Sequence, residues 1–125
     1  SELGVMLASI DVERREGTFT FVTGDHPNLA GAAVATILEA EGPTAVVDTD
    51  AARAAGLVVE FEAAWLTLTV VSALEAVGLT AAFSRVLADA GIACNVLAGY
   101  HHDHLLVPVD RVDDAIAALR SLRDA

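Results

Sequence analysis

The chain has 125 residues, enough for one compact domain or for two very small units that share a core. It carries 18 acidic and 7 basic residues, giving a formal charge of −11, and every basic residue is Arg. Nucleic acids and anionic membranes attract clustered cations, so this charge disfavours both as partners. Hydrophobic residues make up 54% of the chain, which predicts a further covered surface such as a homo-oligomer contact.

The cellular context follows from the cysteine count and from the lack of long apolar runs. A single cysteine, Cys94, excludes an internal disulfide and fits a reducing cytoplasm. It alternates with apolar neighbours, so we expect a buried structural thiol. No apolar run reaches the length that spans a bilayer, and no signal peptide is expected. We therefore predict a cytoplasmic protein.

The first half of the sequence predicts mainly short β-strands. In chain order we predict a weak helix over 1–10, a strand over 18–23, a hairpin over 34–39 and 44–47, and a short helix over 48–55. The hairpin turns through Glu41-Gly42-Pro43, and Asp48 or Asp50 caps the short helix. The Ala content of residues 32–40 also allows a helix there, but a strand is preferred.

The second half has clearer periodicity. We predict a strand over 57–71, a helix over 80–90, an antiparallel pair over 92–98 and 105–109, and a last helix capped by Asp110. The segment WLTLTVV alternates, with Leu66 and Leu68 on one face, and Gly91 suits the left-handed end of the helix. Glu60 and Glu62 share one face of the first strand and are expected to protect a solvated edge.

A weak repeat of strand, connector, hairpin and helix divides the chain at residue 56. In the first copy the connector over 24–33 is predicted to be a loop, whereas the second copy has a full helix. The second copy is a βαββα unit that lacks a last strand, so a strand from the first half should complete its sheet. Strand 65–71 would then be central, and helices 80–90 and 111–122 would lie on one face of the sheet.

Several motifs add a family resemblance to this pattern. They are SALEAVGLTAAF, AGIACNVLAGY, HHDHLLVP and VDDAIAAL in the second half and EAEGPTAVVD in the first. Together they resemble ACT domains, the small-molecule-sensing modules of amino-acid metabolism, and the whole chain is similar to short two-unit ACT proteins of bacteria. The resemblance implies an α+β, ferredoxin-like ACT fold. Two tandem ACT-like halves, a degenerate 1–56 and a completed 57–125, would share antiparallel sheet with helices on one face.

The resemblance also implies a ligand site. ACT domains cradle an amino acid between the loop after the first strand, the start of the next helix and a polar residue on the second strand. Carried onto this sequence, the ligand-binding residues are Ser72, Ala73, Leu74, Val77, Gly78, Leu79, Thr80 and Asn95. Free N–H groups at a helix start attract a carboxylate, and an Asn side chain both donates and accepts. The structural alternative is that Gly78 and Thr80 only begin a helix and that Asn95 only caps the hairpin.

Metal binding and catalysis are not predicted. His102 and His104 point the same way on an extended strand and could chelate a metal, but a polar hairpin tip is the preferred explanation of the cluster from His101 to His104. Asp25 and His26 lack an accompanying nucleophile motif. We expect no cofactor and no enzyme activity. The preferred function is a non-catalytic regulatory or sensor module that binds a small metabolite, an amino acid, and the alternative is an oligomerisation or partner-docking module without a ligand.

Overall fold

The structure is a computed structural model that describes residues 2–29, 31–70 and 77–124. Its helices are α1 (Glu2–Ala8), α2 (Thr49–Ala54), α3 (Leu79–Asp89) and α4 (Val112–Arg120). Its strands are β1 (Asp11–Thr23), β2 (Ala33–Glu39), β3 (Gly42–Asp48), β4 (Ala63–Thr69), β5 (Asn95–Ala98) and β6 (Asp103–Pro108). Short 3-10 turns cover Pro27–Leu29, Val109–Arg111 and Ser121–Asp124. None of the helices in the described ranges is both long and apolar enough to cross a membrane.

The chain forms two compact units. Unit 1 consists of residues 1–15 and 64–125, and unit 2 consists of residues 16–63. Strand β1 crosses the boundary, so its first residues belong to unit 1 and the rest to unit 2. The predicted halves 1–56 and 57–125 follow chain order, whereas the compact units do not. The boundary between two ACT-like halves therefore stays a prediction.

Unit 1 is a sheet with helices on one face. Its strand order is β1-β4-β6-β5, and β5 and β6 pair antiparallel with Asn95 opposite Leu106. Alternate residues of β4 and β6 enter a core with α3 and α4, which confirms that these two helices share one face. The fully buried members of this core include Ile10, Leu66, Leu68, Phe83, Leu87, Leu105, Val107 and Leu119.

Unit 2 is smaller and has strand order β2-β3-β1, both pairs being antiparallel. The predicted hairpin over β2 and β3 is confirmed. Helix α2 is also confirmed, and the Asp48 carboxylate caps it by accepting from the Ala51 N–H at 3.0 Å. Leu29, Val47 and Ala52 form a small buried cluster beneath α2. Together the two units have the α+β composition and antiparallel strands of the predicted ferredoxin-like fold.

Several sequence predictions about element boundaries were wrong. The strand predicted over 18–23 begins at Asp11, and the strand predicted over 92–98 begins at Asn95. In the predicted strand over 57–71, the described residues 57–70 form a strand only over Ala63–Thr69, so Glu60 and Glu62 do not share a strand face. The Glu62 carboxylate instead accepts from the Thr18 hydroxyl at 2.8 Å and from Arg53 at 3.3 Å. The Thr18 hydrogen bond, and then Arg53, lower the pKa of Glu62.

A further correction concerns the start of α4. Asp110 does not cap this helix, because it lies inside the 3-10 turn Val109–Arg111 that precedes Val112. Arg111 occupies the cap position, and its side chain donates to Asp114 at 3.1 Å and to the carbonyl of Ala90 at 3.0 Å. The basic side chain therefore connects the start of α4 to the end of α3.

Candidate functional site

The predicted ligand site surrounds the start of α3 and is only partly described. Ser72, Ala73 and Leu74 lie outside the described residues. Val77, Gly78, Leu79, Thr80 and Asn95 lie within them. The geometry of the candidate site is therefore that of the helix start and of strand β5.

Gly78 occupies the N-cap position of α3 in a left-handed conformation, with φ +99°. This backbone geometry favours glycine because a Cβ would be strained there. A Cβ at Gly78 would also lie 2.9 Å from the Cδ2 atom of Leu3, so α1 packs closely beside the helix start. No side chain in the described part of the chain caps α3. A helix start without such a cap leaves its first N–H groups to be satisfied by backbone, by solvent or by a ligand.

The residues around this cap divide into buried and exposed positions. Leu79 is 4% exposed and belongs to the core of unit 1, so only its backbone can contact a ligand. The Thr80 side chain is exposed, and Val77 is 85% exposed. The helix start thus presents one hydroxyl and one apolar side chain to the surface.

Asn95 is placed differently. It is exposed and is the first residue of β5, the last strand in the order of unit 1. Gly78 precedes α3, whereas Asn95 follows its C-terminal end. Because an 11-residue helix is about 16 Å long, the two residues flank opposite ends of α3. Because Asn95 is exposed, water can satisfy its side-chain amide, and no hydrogen-bond partner within the protein is required.

The histidine-rich segment forms the tip of the β5–β6 hairpin. The Gly99 N–H donates to the carbonyl of His102 at 2.9 Å and closes the turn. The rings of His102 and His104 are 6.5 Å apart, and the Nδ1 atom of His104 is 2.9 Å from the Thr67 hydroxyl. Within the described ranges, no group of three or more His, Cys, Asp or Glu side chains could hold a metal ion.

Cys94 is half-buried against the core of unit 1. Burial raises the pKa of its thiol to about 11. The thiol is therefore protonated at neutral pH, and a thiol in that state is a weak nucleophile. This environment agrees with the predicted structural role.

A cavity in unit 2 was not predicted from the sequence. It has a volume of about 430 Å³ and lies beside the connector between β1 and β2, where Asp25, His26 and Thr36 meet apolar residues such as Val22 and Leu29. Nε2 of His26 lies 2.8 Å from the carbonyl oxygen of Thr23, so it donates to that oxygen. The turn signal Asp25-His26-Pro27-Asn28 marks this loop, but no local pattern indicates the space beneath it.

Family models of the ACT domain match residues 1–64 and residues 60–121. The chain belongs to the ACT-domain family. This membership confirms the predicted family and the predicted fold. Among curated proteins, none matches the sequence of this ACT-domain protein.

Solved structures share the fold of this ACT-domain protein. A protein of unknown function from Vibrio cholerae, described as a possible transport protein, is 40% identical, with a TM-score of 0.86 over 97% of this chain and 95% of that chain. The ligand-free regulatory subunit of aspartate kinase from Thermus thermophilus is 14% identical, with a TM-score of 0.64 over 89% and 95%. A protein from Agrobacterium tumefaciens is 16% identical, with a TM-score of 0.63 over 91% and 89%. At these last two identities the likeness concerns the fold alone.

Proposed function

We propose that this ACT-domain protein is a non-catalytic regulatory module that binds a small metabolite, an amino acid, at the start of α3. The observation that supports the proposal most directly is the start of α3 at a left-handed Gly78, where none of the described side chains caps the helix. The family membership supports it independently. The regulatory subunit of aspartate kinase, which has a similar fold, is a regulatory protein by its own description.

The chemistry of the helix start suits the carboxylate of an amino acid. The N–H groups of Leu79 and Thr80 lie in the first turn of α3, where the helix dipole favours negative charge. A formal charge of −11 opposes a free anion but much less a zwitterion, whose ammonium group interacts favourably with nearby carbonyls and acids. Affinities in the micromolar to millimolar range, about −8 to −4 kcal/mol, would be sufficient for sensing.

Titration calorimetry with the common amino acids tests the proposal on wild type and on two Thr80 variants. Thr80→Glu places a carboxylate in the first turn of α3, where it should compete with the ligand and weaken binding about tenfold or more. The same charge should leave the helix as stable or slightly more stable. Thr80→Gln is the matched neutral control, and it should bind nearly as well as wild type.

Asn95→Ala measures whether the exposed amide on β5 belongs to the same site. If it donates or accepts one hydrogen bond with the ligand, its loss should cost about 1–3 kcal/mol of binding. If no amino acid gives a saturable heat with wild type at several millimolar, amino-acid binding is wrong. Equal binding by Thr80→Glu and Thr80→Gln would place the ligand elsewhere.

The alternative function, self-association without a ligand, is favoured by one observation. Strand β2 is the last strand in the order of unit 2, and on it Leu38 is 85% exposed and Ile37 is 43% exposed. An exposed apolar edge strand is a template for pairing with a second copy. Light scattering of wild type and Leu38→Glu tests this, because the added charge should convert an assembly through β2 to monomer.

A further inference from the structure

A polar cluster lies on the face of unit 1 that is opposite the helices. Leu66 and Leu68 of β4 point into the helix-covered core, so Trp65 and Thr67 point to the other face. His104 of the neighbouring strand β6 joins them there, with its ring 5.1 Å from that of Trp65. None of these residues belongs to the site at the start of α3.

Hydrogen bonds fix the positions of the three side chains. The indole N–H of Trp65 donates to the Thr67 hydroxyl oxygen at 3.2 Å, and this hydroxyl lies 2.9 Å from Nδ1 of His104. Since the oxygen accepts from Trp65, its own hydrogen is free to be donated to Nδ1, which leaves the imidazole proton on Nε2. Burial, and then His102, lower the pKa of His104, which favours the neutral ring.

The neighbouring turn leaves room for this arrangement. A Cβ at Gly99 would lie 3.2 Å from Nε2 of His104 and 3.0 Å from the carbonyl oxygen of His102. A larger residue at this position would press on the imidazole ring. The glycine of the hairpin tip therefore helps to keep His104 against Thr67.

Arg15 of β1 completes the cluster from the other side of β4. Its guanidinium carbon lies 5.5 Å from the centre of the Trp65 ring, within the range of a cation–π contact. These side chains line a cavity of about 280 Å³, and the described residues of its lining are Glu13, Arg14, Arg15, Trp65, Thr67 and His104. By strand alternation Glu13 and Arg15 share one face of β1, so one carboxylate and one guanidinium face this cavity together.

We propose that this cavity is a second binding site, specific for a small organic monocarboxylate with an apolar body. The planar guanidinium of Arg15 matches a carboxylate with two parallel hydrogen bonds. Trp65 supplies an apolar wall, and the hydroxyl–imidazole pair of Thr67 and His104 supplies polar contacts. The Glu13 carboxylate in the same lining repels a dianion such as a phosphate monoester.

The size of the cavity agrees with a small ligand. A volume of 280 Å³ corresponds to about nine water molecules. It lies just below the roughly 300–1,000 Å³ typical of sites for drug-sized ligands. A molecule of about ten non-hydrogen atoms would fill it, whereas a nucleotide would not enter.

The test uses Trp65, the only tryptophan of the chain, as its own reporter. Fluorescence of the full-length protein is measured during titration with benzoate and with benzamide, which has nearly the same shape but no charge. We expect a saturable change with benzoate at millimolar concentration or below, and at least tenfold weaker binding of benzamide. Arg15→Gln should weaken benzoate binding at least tenfold. Arg85→Gln, an exposed position on α3 paired with Asp89 at 3.9 Å, should leave it unchanged.

A gain-of-affinity variant separates a binding role from a structural one. Glu13→Gln removes the repulsive carboxylate and should tighten benzoate binding several-fold, which a merely structural role of these side chains would not produce. Circular dichroism and thermal melting verify that each variant is folded. Equal binding of benzoate and benzamide, no saturable signal in wild type, or benzoate affinity unaltered in both Arg15→Gln and Glu13→Gln would overturn the proposal. Because the probes and variants differ from those at the start of α3, either proposal can fail without the other.

Discussion

In each unit, a connecting segment follows one strand and leads the chain to the next strand of the sheet. The two connecting segments differ in structure. In unit 1 the connection is α3, which buries Leu79, Phe83 and Leu87 against the sheet. In unit 2 the described residues between β1 and β2 form only the three-residue 3-10 turn Pro27–Leu29, from which Leu29 is buried. A cavity of about 430 Å³ lies beside this turn.

The difference shows what a helical connection contributes. An 11-residue amphipathic helix fills the space above its strands, whereas a short turn with Pro27 leaves that space open. Val22 and Ala45 illustrate the consequence, because both pack near α2 and both also line the cavity. We therefore expect the connecting helix to contribute more stability to unit 1 than the short turn contributes to unit 2. We also expect unit 2 to tolerate larger side chains beside its connecting segment.

The largest expected effect is the loss of stability when a buried side chain of α3 is truncated in unit 1. Phe83→Ala removes a fully buried ring from the core and should lower the free energy of unfolding by about 3–5 kcal/mol. Leu29→Ala, its counterpart in unit 2, should cost about 2 kcal/mol, because fewer buried neighbours surround it. Urea unfolding followed by circular dichroism measures both. A cost for Leu29→Ala equal to that for Phe83→Ala would contradict the comparison.

The second prediction concerns the available space. Ala64→Val adds volume at a fully buried position of unit 1 and should destabilise by about 1–3 kcal/mol. Ala45→Val adds the same volume beside the cavity of unit 2, in a strand that favours a β-branched residue. It should leave the melting temperature unchanged or raise it slightly. Similar losses for both variants would mean that the cavity does not relieve crowding at Ala45.

A third prediction tests the contact between α1 and the start of α3. Gly78→Ala should cost about 1–2 kcal/mol because φ is +99° at this position. Gly56→Ala is the matched control, since Gly56 has φ +80° and no atom within 4 Å of an added Cβ. The excess cost at Gly78, read from thermal melting, reports the displacement of Leu3. Equal costs for Gly78→Ala and Gly56→Ala would mean that the Leu3 side chain moves away without a measurable loss of stability.

The smallest expected effect is a pH dependence in unit 1. The pKa of His104 is lowered by burial and by His102, while Asp103 opposes the shift and Arg15 adds to it. An unfolded His titrates near pH 6.5, so below that pH the unfolded state binds more protons and the free energy of unfolding falls. The contribution of His104 to the free energy of unfolding is complete above about pH 6.5. It is lost as the pH falls through the lower pKa that His104 has in the folded state.

His104→Gln should reduce this dependence between pH 7.5 and pH 5.5, measured by urea unfolding at both values. Glutamine retains hydrogen-bonding capacity toward Thr67 but does not titrate. Glu13 and Arg15 line the same cavity and are unchanged in the variant, so they cancel in the comparison. An identical pH dependence in wild type and His104→Gln would contradict the assignment.

Local patterns predicted much of the fold. The stripe of α3, the hairpin of β2 and β3 and the cap of α2, predicted at Asp48 or Asp50 and found at Asp48, depend on residues close in sequence. The inclusion of residues 1–15 in unit 1 depends on distant partners instead. Arg123, for example, donates to the carbonyl of Ile10 at 2.7 Å and to Asp11 at 2.8 Å. No spacing rule connects residues at opposite ends of a chain.

The candidate sites divide in the same way. Gly78 could be recognised as a turn glycine from its neighbours, but its contact with Leu3 could not. The cluster of Trp65, Thr67 and His104 requires that β4 and β6 be neighbours in the sheet and that their alternate residues share a face. The sequence shows the alternation within each strand, while the adjacency of the strands depends on the tertiary structure.

The discontinuity of unit 1 has a consequence for the order of folding. Its core joins Ile10 and Val12 to Leu66 and Leu68, so residues 16–63 form a loop of roughly 50 residues that must close before this core exists. Unit 2 is continuous in sequence, and its Thr18–Glu62 hydrogen bond brings the two ends of that loop together. Prior folding of unit 2 would shorten the loop to a few residues and spare about 2 kcal/mol of closure entropy. Folding of unit 2 would thereby accelerate the folding of unit 1, whose two segments precede and follow it in the sequence.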